Sequence, residues 1–245
     1  MSLVGRPTAR ASLAYRGLRL FLRLLGAALF RVRVSGLENL PRDADGKPIG
    51  GWICCGLPHR TWVEPMLLVA HLPAEPRMTM LGDGATMFGS RWRSLLVRFV
   101  GGVVPIWPGA GVGGFRHIAS AAGQVIGAGG VLALFPETGP PSRPPNFRRL
   151  SPGVVRLAQQ AGAPIVPVVF GGTHELYLRR HIVVRVLPAI EPPSAESGRR
   201  ASQQSLAELD ARAQEAGEEA HRAAEARAPR CKRWRWLTGP YPSAD

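Results

Sequence analysis

The chain has 245 residues, 45% of them hydrophobic and 20% charged, and its 31 Lys and Arg against 17 Asp and Glu leave a net charge of +14. That length and apolar share fit one sizeable core, and the three cysteines, Cys54 and Cys55 in an apolar run and Cys231 in a basic tail, exclude a disulfide framework or a zinc-type spacing. The positive surplus draws anions, without choosing among nucleic acid, acidic lipid head groups and phosphorylated small molecules.

Residues 11 to 34 are rich in Leu and Phe, interrupted by Arg16, Arg19 and Arg23. No stretch reaches the roughly 20 apolar residues of a spanning helix, nor is there a signal-type apolar core with a cleavage site. The expectation is a reducing, cytoplasmic setting. At 3.6 residues per turn the three arginines share one face, opposite Leu18, Phe21, Leu22, Leu25 and Leu29. Residues 1–34 therefore read as a basic amphipathic helix, whose leucine face either enters an anionic membrane surface or packs on the domain.

From residue 35 to 195 short apolar runs alternate with helical patterns, the signature of an α/β domain around a mixed, largely buried sheet. Strands are predicted at 49–55, 77–81, 102–107, 131–135, 165–170 and 182–187, and helices at 62–71, 88–99, 113–128 and 151–161. Gly82, Gly84, Gly129, Gly130, Gly162 and Pro164 punctuate the scheme. In the last segment, 196–245, a stretch of Ala, Glu, Arg and Gln with only Leu206 and Leu209 as large apolar residues predicts a polar, peripheral helix. It runs into the basic aromatic cluster Cys231 to Trp236, a composition that suits a membrane interface.

Chemistry concentrates in Pro58-His59-Arg60-Thr61-Trp62-Val63-Glu64-Pro65, between an apolar strand and an apolar helix. A carboxylate five positions after a histidine can fix one ring nitrogen and leave the other free to take a proton from a hydroxyl. Further on come Leu134-Phe135-Pro136-Glu137-Thr138-Gly139-Pro140-Pro141-Ser142-Arg143 and Ala163-Pro164-Ile165-Val166-Pro167-Val168-Val169-Phe170.

Taken together, over roughly residues 32 to 190, these segments resemble the glycerolipid acyltransferase family, typified by 1-acylglycerol-3-phosphate acyltransferases. The resemblance implies an O-acyltransferase of phospholipid biosynthesis. It makes His59 the catalytic base that deprotonates a lipid acceptor hydroxyl attacking an acyl thioester, carried by CoA or acyl-carrier protein, with no bound cofactor or metal. Glu64 stands where the family has Asp. Phe135, Pro136 and Glu137 match the acceptor-binding block. Its next pair is inverted as Thr138-Gly139, and Pro140 takes the place of an arginine. Among the arginines just downstream, Arg143 is the first candidate for a phosphate contact, since a guanidinium fork suits phosphate. In the preceding block Trp107 and Pro108 stand where the family places another phosphate-associated arginine, which leaves the acceptor open between a phosphate-bearing lipid and a less charged one, such as a glycolipid or another lipid alcohol.

Two other readings compete. Gly109, Gly111 and Gly114 meet Gly-x-Gly-x-x-Gly between a strand and a helix, with Glu137 after the next strand, as a dinucleotide-binding oxidoreductase requires. The altered blocks also suit an acyltransferase fold kept as a lipid-binding module without chemistry. No nucleic-acid module is present, and His71, His117, His174, His181 and His221 are scattered along the sequence with no metal-ligand spacing.

Overall fold

The computed structural model describes residues 8–85, 91, 102–107, 111–138, 144, 146–194 and 197–238. One seven-stranded sheet is built from β1 (Phe30–Ser35), β2 (Trp52–Leu57), β3 (Met78–Asp83), β4 (Val103–Ile106), β5 (Val131–Leu134), β8 (Ile165–Gly171) and β9 (Arg180–Val186). Its order is β1-β9-β8-β2-β5-β3-β4. Neighbours run parallel except the antiparallel pair β8 and β9. Two short strands, β6 (Glu137–Thr138) and β7 (Arg149–Leu150), pair separately. The helices are α1 (Leu13–Leu29), α2 (Val63–His71), α3 (Gly111–Gly127), α4 (Gly153–Ala161) and α5 (Arg199–Glu225). This is the single α/β domain with a mixed sheet that the sequence pattern predicts.

All six residues of β2 are buried, which is why its sequence reads as an unbroken apolar run. Its side chains alternate between the faces. Ile53, Cys55 and Leu57 pack with Val154, Leu157, Leu209 and Ala213 on one side, while Trp52 and Cys54 pack with Val63, Leu67 and Leu68 on the other. Burial pushes the Cys54 and Cys55 thiols up, so they act as small apolar packing groups rather than nucleophiles. Local signals close the elements: Ser12 accepts from the Tyr15 N–H to cap α1, and Gly162, at φ +58°, ends α4 in the left-handed conformation.

Three details differ from the sequence reading. The amino-terminal helix stops at Leu29, and residues 30–34 belong to an edge strand parallel to β9. Its alternation of Phe30, Val32 and Val34 with Arg31 and Arg33 is a strand period, and the exposed Arg31 and Arg33 keep the edge charged. Second, α5 is not peripheral. Leu209, Ala213, Ala216, Gly217, Ala220 and Ala224 are its buried stripe, and small residues let its backbone approach so closely that a Cβ on Gly171 would overlap the Ala220 carbonyl. Third, two of the three arginines of α1 serve the protein itself. Arg19 donates to the carbonyls of Val69 (2.8 Å) and Ala70 (3.2 Å) at the end of α2, where positive charge is favoured, and Arg16 pairs with Glu75 at 2.6 Å. Apart from Arg91, the helix predicted at 88–99 lies outside the described residues.

Candidate active site

β2, β5 and β8 are mutually parallel neighbours at the middle of the sheet, so their carboxyl ends open on one edge, where ligands of α/β sheets bind. His59 follows β2, Phe135 to Glu137 follow β5, and Gly172 to His174 follow β8. Segments far apart in sequence meet there.

Glu64 lies in the first turn of α2 and is wholly buried. Its Oε2 accepts from the Thr61 N–H (2.8 Å) and hydroxyl (3.0 Å), and its Oε1 from the Arg60 N–H (3.3 Å). The carboxylate thereby closes the turn leading into the helix. His59 Nδ1 lies 3.6 Å from Oε2, an ion-pair separation rather than a hydrogen bond, and its side chain is 34% exposed against 0% for Glu64. The imidazole is thus reachable, and its carboxylate partner is shielded.

The imidazole stacks on Phe135, with ring centroids 4.4 Å apart at 26°, and Phe135 in turn lies 6.4 Å from the Phe170 ring. A Cβ on Gly56 would overlap the Phe135 ring; glycine there makes room for the stack. Glu137 is engaged with backbone. Its Oε2 accepts from the His59 N–H at 2.6 Å and its Oε1 from the Arg148 N–H at 3.1 Å. Pro136 is buried and its carbonyl accepts from the Ser151 N–H at 2.8 Å. Thr138 is exposed, its hydroxyl donating to the Arg149 carbonyl at 3.1 Å. Gly139 and Arg143 lie outside the described residues. Trp107 stands past the end of edge strand β4 and packs over Gly84.

Beside His59 a pocket is lined by Pro58, Arg60, Phe170, Thr173, His174 and His221, among others. Arg60, whose guanidinium donates to the Asn146 carbonyl at 2.5 Å, is held below its usual pKa by burial. His174 and His221, scattered along the sequence, come together here, their rings 5.2 Å apart. Burial, with Arg180 adding to it, pushes His174 down to about 4, and burial also lowers His221. Sequence reasoning gave Arg60, Thr173 and Glu225 no role and set His174 and His221 aside as scattered. The spacing of His221 and Glu225, four apart on a predicted helix, was the one signal available for them.

A family model described as Acyltransferase matches residues 31–171, more than half of the chain. The chain belongs to the acyltransferase family. The match takes in β1 through β8 and with them His59, Glu64 and Phe135 to Thr138. It also spans Gly109, Gly111 and Gly114, the first of which lies outside the described residues. Among solved structures, the chain is similar to the 1-acyl-sn-glycerophosphate (LPA) acyltransferase PlsC from Thermotoga maritima, with a TM-score of 0.63 and 15% identity over 88% of this chain and 81% of that one. At that identity the likeness is one of fold. A search of curated proteins finds no match.

Proposed function

We propose that this acyltransferase moves a fatty acyl group from a thioester, on CoA or an acyl-carrier protein, to a hydroxyl of a lipid acceptor at a membrane surface, with His59 as general base. The observation that carries the reading is the pairing of a reachable imidazole with a buried, multiply hydrogen-bonded carboxylate 3.6 Å away. Glu64 sits nearest Nδ1, and closing that gap to a hydrogen bond would orient the ring for Nε2 to take the acceptor proton. The alkoxide attacks the thioester carbonyl, the carbon–sulfur bond breaks, and the proton held on His59 leaves with the thiolate. Phe135 keeps the ring in place by stacking, and Glu137 holds the backbone that carries it.

The membrane side of the proposal rests on exposed apolar groups. Leu13, Leu20, Phe21 and Leu24, 59 to 88% exposed, fall on one outward stripe of α1, and Trp234 (53%) and Trp236 (73%) are exposed in the tail. The two surfaces are tied through one loop, in which Arg179 N–H donates to Leu29 and Leu178 N–H to Arg233. No helix of the described residues is long and apolar enough to cross a membrane. An interfacial lie, apolar stripe down and net positive charge toward anionic lipid, fits these facts.

The direct test incubates the purified chain with radiolabelled acyl thioester and lysophosphatidate or monoacylglycerol. His59→Ala should lower transfer about 100 to 10,000-fold, the usual worth of a general base, without loss of fold. Full transfer by that variant, or none by the parent chain with either donor class, would count against the mechanism. A parent chain that binds the lipid acceptor yet transfers nothing would favour the lipid-binding module.

A further inference from the structure

Two histidines that line the pocket, His174 and His221, converge with a glutamate, Glu225, outside the proposed dyad. His221 and Glu225 stand one turn apart on α5, and His174 comes from the loop after β8. An imidazole nitrogen from each histidine and a carboxylate oxygen from Glu225 all lie within 4.8 Å of one another. His174 Nε2 is 3.8 Å from Glu225 Oε1, beyond hydrogen-bond reach. Two donors about 2.0–2.2 Å from a tetrahedral zinc ion stand roughly 3.4 Å apart, so small side-chain rotations would bring the three onto one ion.

The surroundings carry the features of a metal site's outer shell. The wholly buried Arg180 donates to Glu225 and also, at 2.8 Å each, to the Tyr177 hydroxyl and the Gly172 carbonyl. A ligating carboxylate oriented by a second hydrogen bond is the usual arrangement. Independently, Thr173 is 1% exposed and lines the pocket, and its hydroxyl has no hydrogen-bond partner among the described residues. A buried hydroxyl without a partner asks for a ligand or an ordered water.

We infer that His174, His221 and Glu225 form a binding site for a divalent transition-metal ion of the zinc class, open on the pocket that Arg60 lines. Two imidazoles and one carboxylate suit zinc or its neighbours and not magnesium or calcium, which take oxygen ligands. Arg180 already matches the charge of Glu225, so the ion takes a hydroxide or another anion in its remaining position. The Thr173 hydroxyl, next to His174 in sequence and lining the same pocket, would hydrogen-bond that ligand.

The test uses the full chain without an affinity tag, in a Cys231→Ser background because Cys231 is an exposed thiol. After chelator treatment and desalting it is titrated with zinc chloride by calorimetry and with cobalt chloride by visible absorption. We expect one equivalent bound per chain and the intense absorption of four- or five-coordinate cobalt. His174→Ala and His221→Ala should each weaken binding by more than the roughly 10–100-fold that loss of an outer-shell partner costs, while His117→Ala leaves it unchanged. No saturable binding by the parent chain, or binding that either cluster variant retains at full strength, overturns the inference. Should a variant fail to fold, the cobalt spectrum of the parent decides: the pale absorption of hexa-aqua cobalt overturns it. These readouts are of metal alone and do not depend on acyl transfer.

Discussion

The backbone N–H of His59 donates to the Glu137 carboxylate across 78 residues of sequence, at 2.6 Å. Two separate motifs are thereby joined at the residue that the proposed mechanism needs most. Glu137, which the family resemblance assigns to acceptor binding, has both oxygens engaged by backbone donors, of His59 and of Arg148. Glu137→Gln keeps the shape but leaves a single acceptor oxygen, so one of the two backbone donors faces an NH2 that cannot accept and the other loses its charged partner; a hydrogen bond to a charged group is worth about 1.5–3 kcal/mol. The expected outcome is a fall in kcat of about tenfold or more with the acceptor KM unchanged. Steady-state kinetics check it, and a raised acceptor KM at constant kcat would return Glu137 to acceptor binding.

The ring stack supplies a second test. Gly56→Ala forces a methyl group into the Phe135 ring, an overpacking that costs about 1–3 kcal/mol, and shifts the ring on which His59 rests. Chemical denaturation should show that loss, and transfer should fall with it. Because the two sites touch, adding Phe135→Leu should recover much of the stability but not the activity. Additive losses in the double variant would mean that the two residues are not coupled.

In the chelator-treated, metal-free protein, acid should weaken the fold through His174. Its folded pKa of about 4 lies below the ordinary 6.5, so between those values the unfolded chain binds more protons than the native one. Stability is therefore intact above about pH 6.5 and declines as pH falls toward 4, by roughly 3 kcal/mol for a shift of this size. His174→Gln should flatten that part of the profile, as urea unfolding between pH 7.5 and 4.5 would reveal. An unchanged slope in the variant would assign the acid sensitivity elsewhere.

Membrane association should depend on the outward stripe of α1. Burying a leucine side chain is worth about 1.5–3 kcal/mol, so the pair Leu20→Glu and Leu24→Glu should weaken binding to phosphatidylglycerol-containing vesicles about 100-fold or more. Raising salt should weaken the parent as well. Sedimentation with vesicles measures both, and binding indifferent to the two substitutions would leave α1 without a membrane role.

The sequence was most informative where one periodicity governed a segment. The wholly buried β2, β5 and β8 read as apolar runs, and the turn into α2 could be placed because His59 and Glu64 stand at its two ends. It was least informative where the same residues fit two periods. Phe30 to Ser35 continue an arginine-spaced pattern by composition, yet alternate inside and outside once β9 offers a parallel partner. The alanines of α5 look solvent-facing until a partner sheet is present, because Ala213, Ala216, Ala220 and Ala224 act by smallness and not by hydrophobic bulk. The convergence of His174 with His221 is purely tertiary. No spacing along the chain encodes it.

The central position of β2 also bears on how the protein is made. The strand that leads to His59 is synthesised early, but its sheet neighbours begin at Val131 and Ile165, and the helix stripe covering one of its faces comes later still, around Leu209 and Ala213. On the ribosome the run Trp52 to Leu57 therefore emerges with both edges unpaired, and although α2 follows at once to cover one face, the face of Ile53, Cys55 and Leu57 stays open. Pairings so distant in sequence form slowly and leave apolar strands open to self-association meanwhile. A nascent chain stalled before α5 should accordingly hold a general chaperone that the completed protein has released.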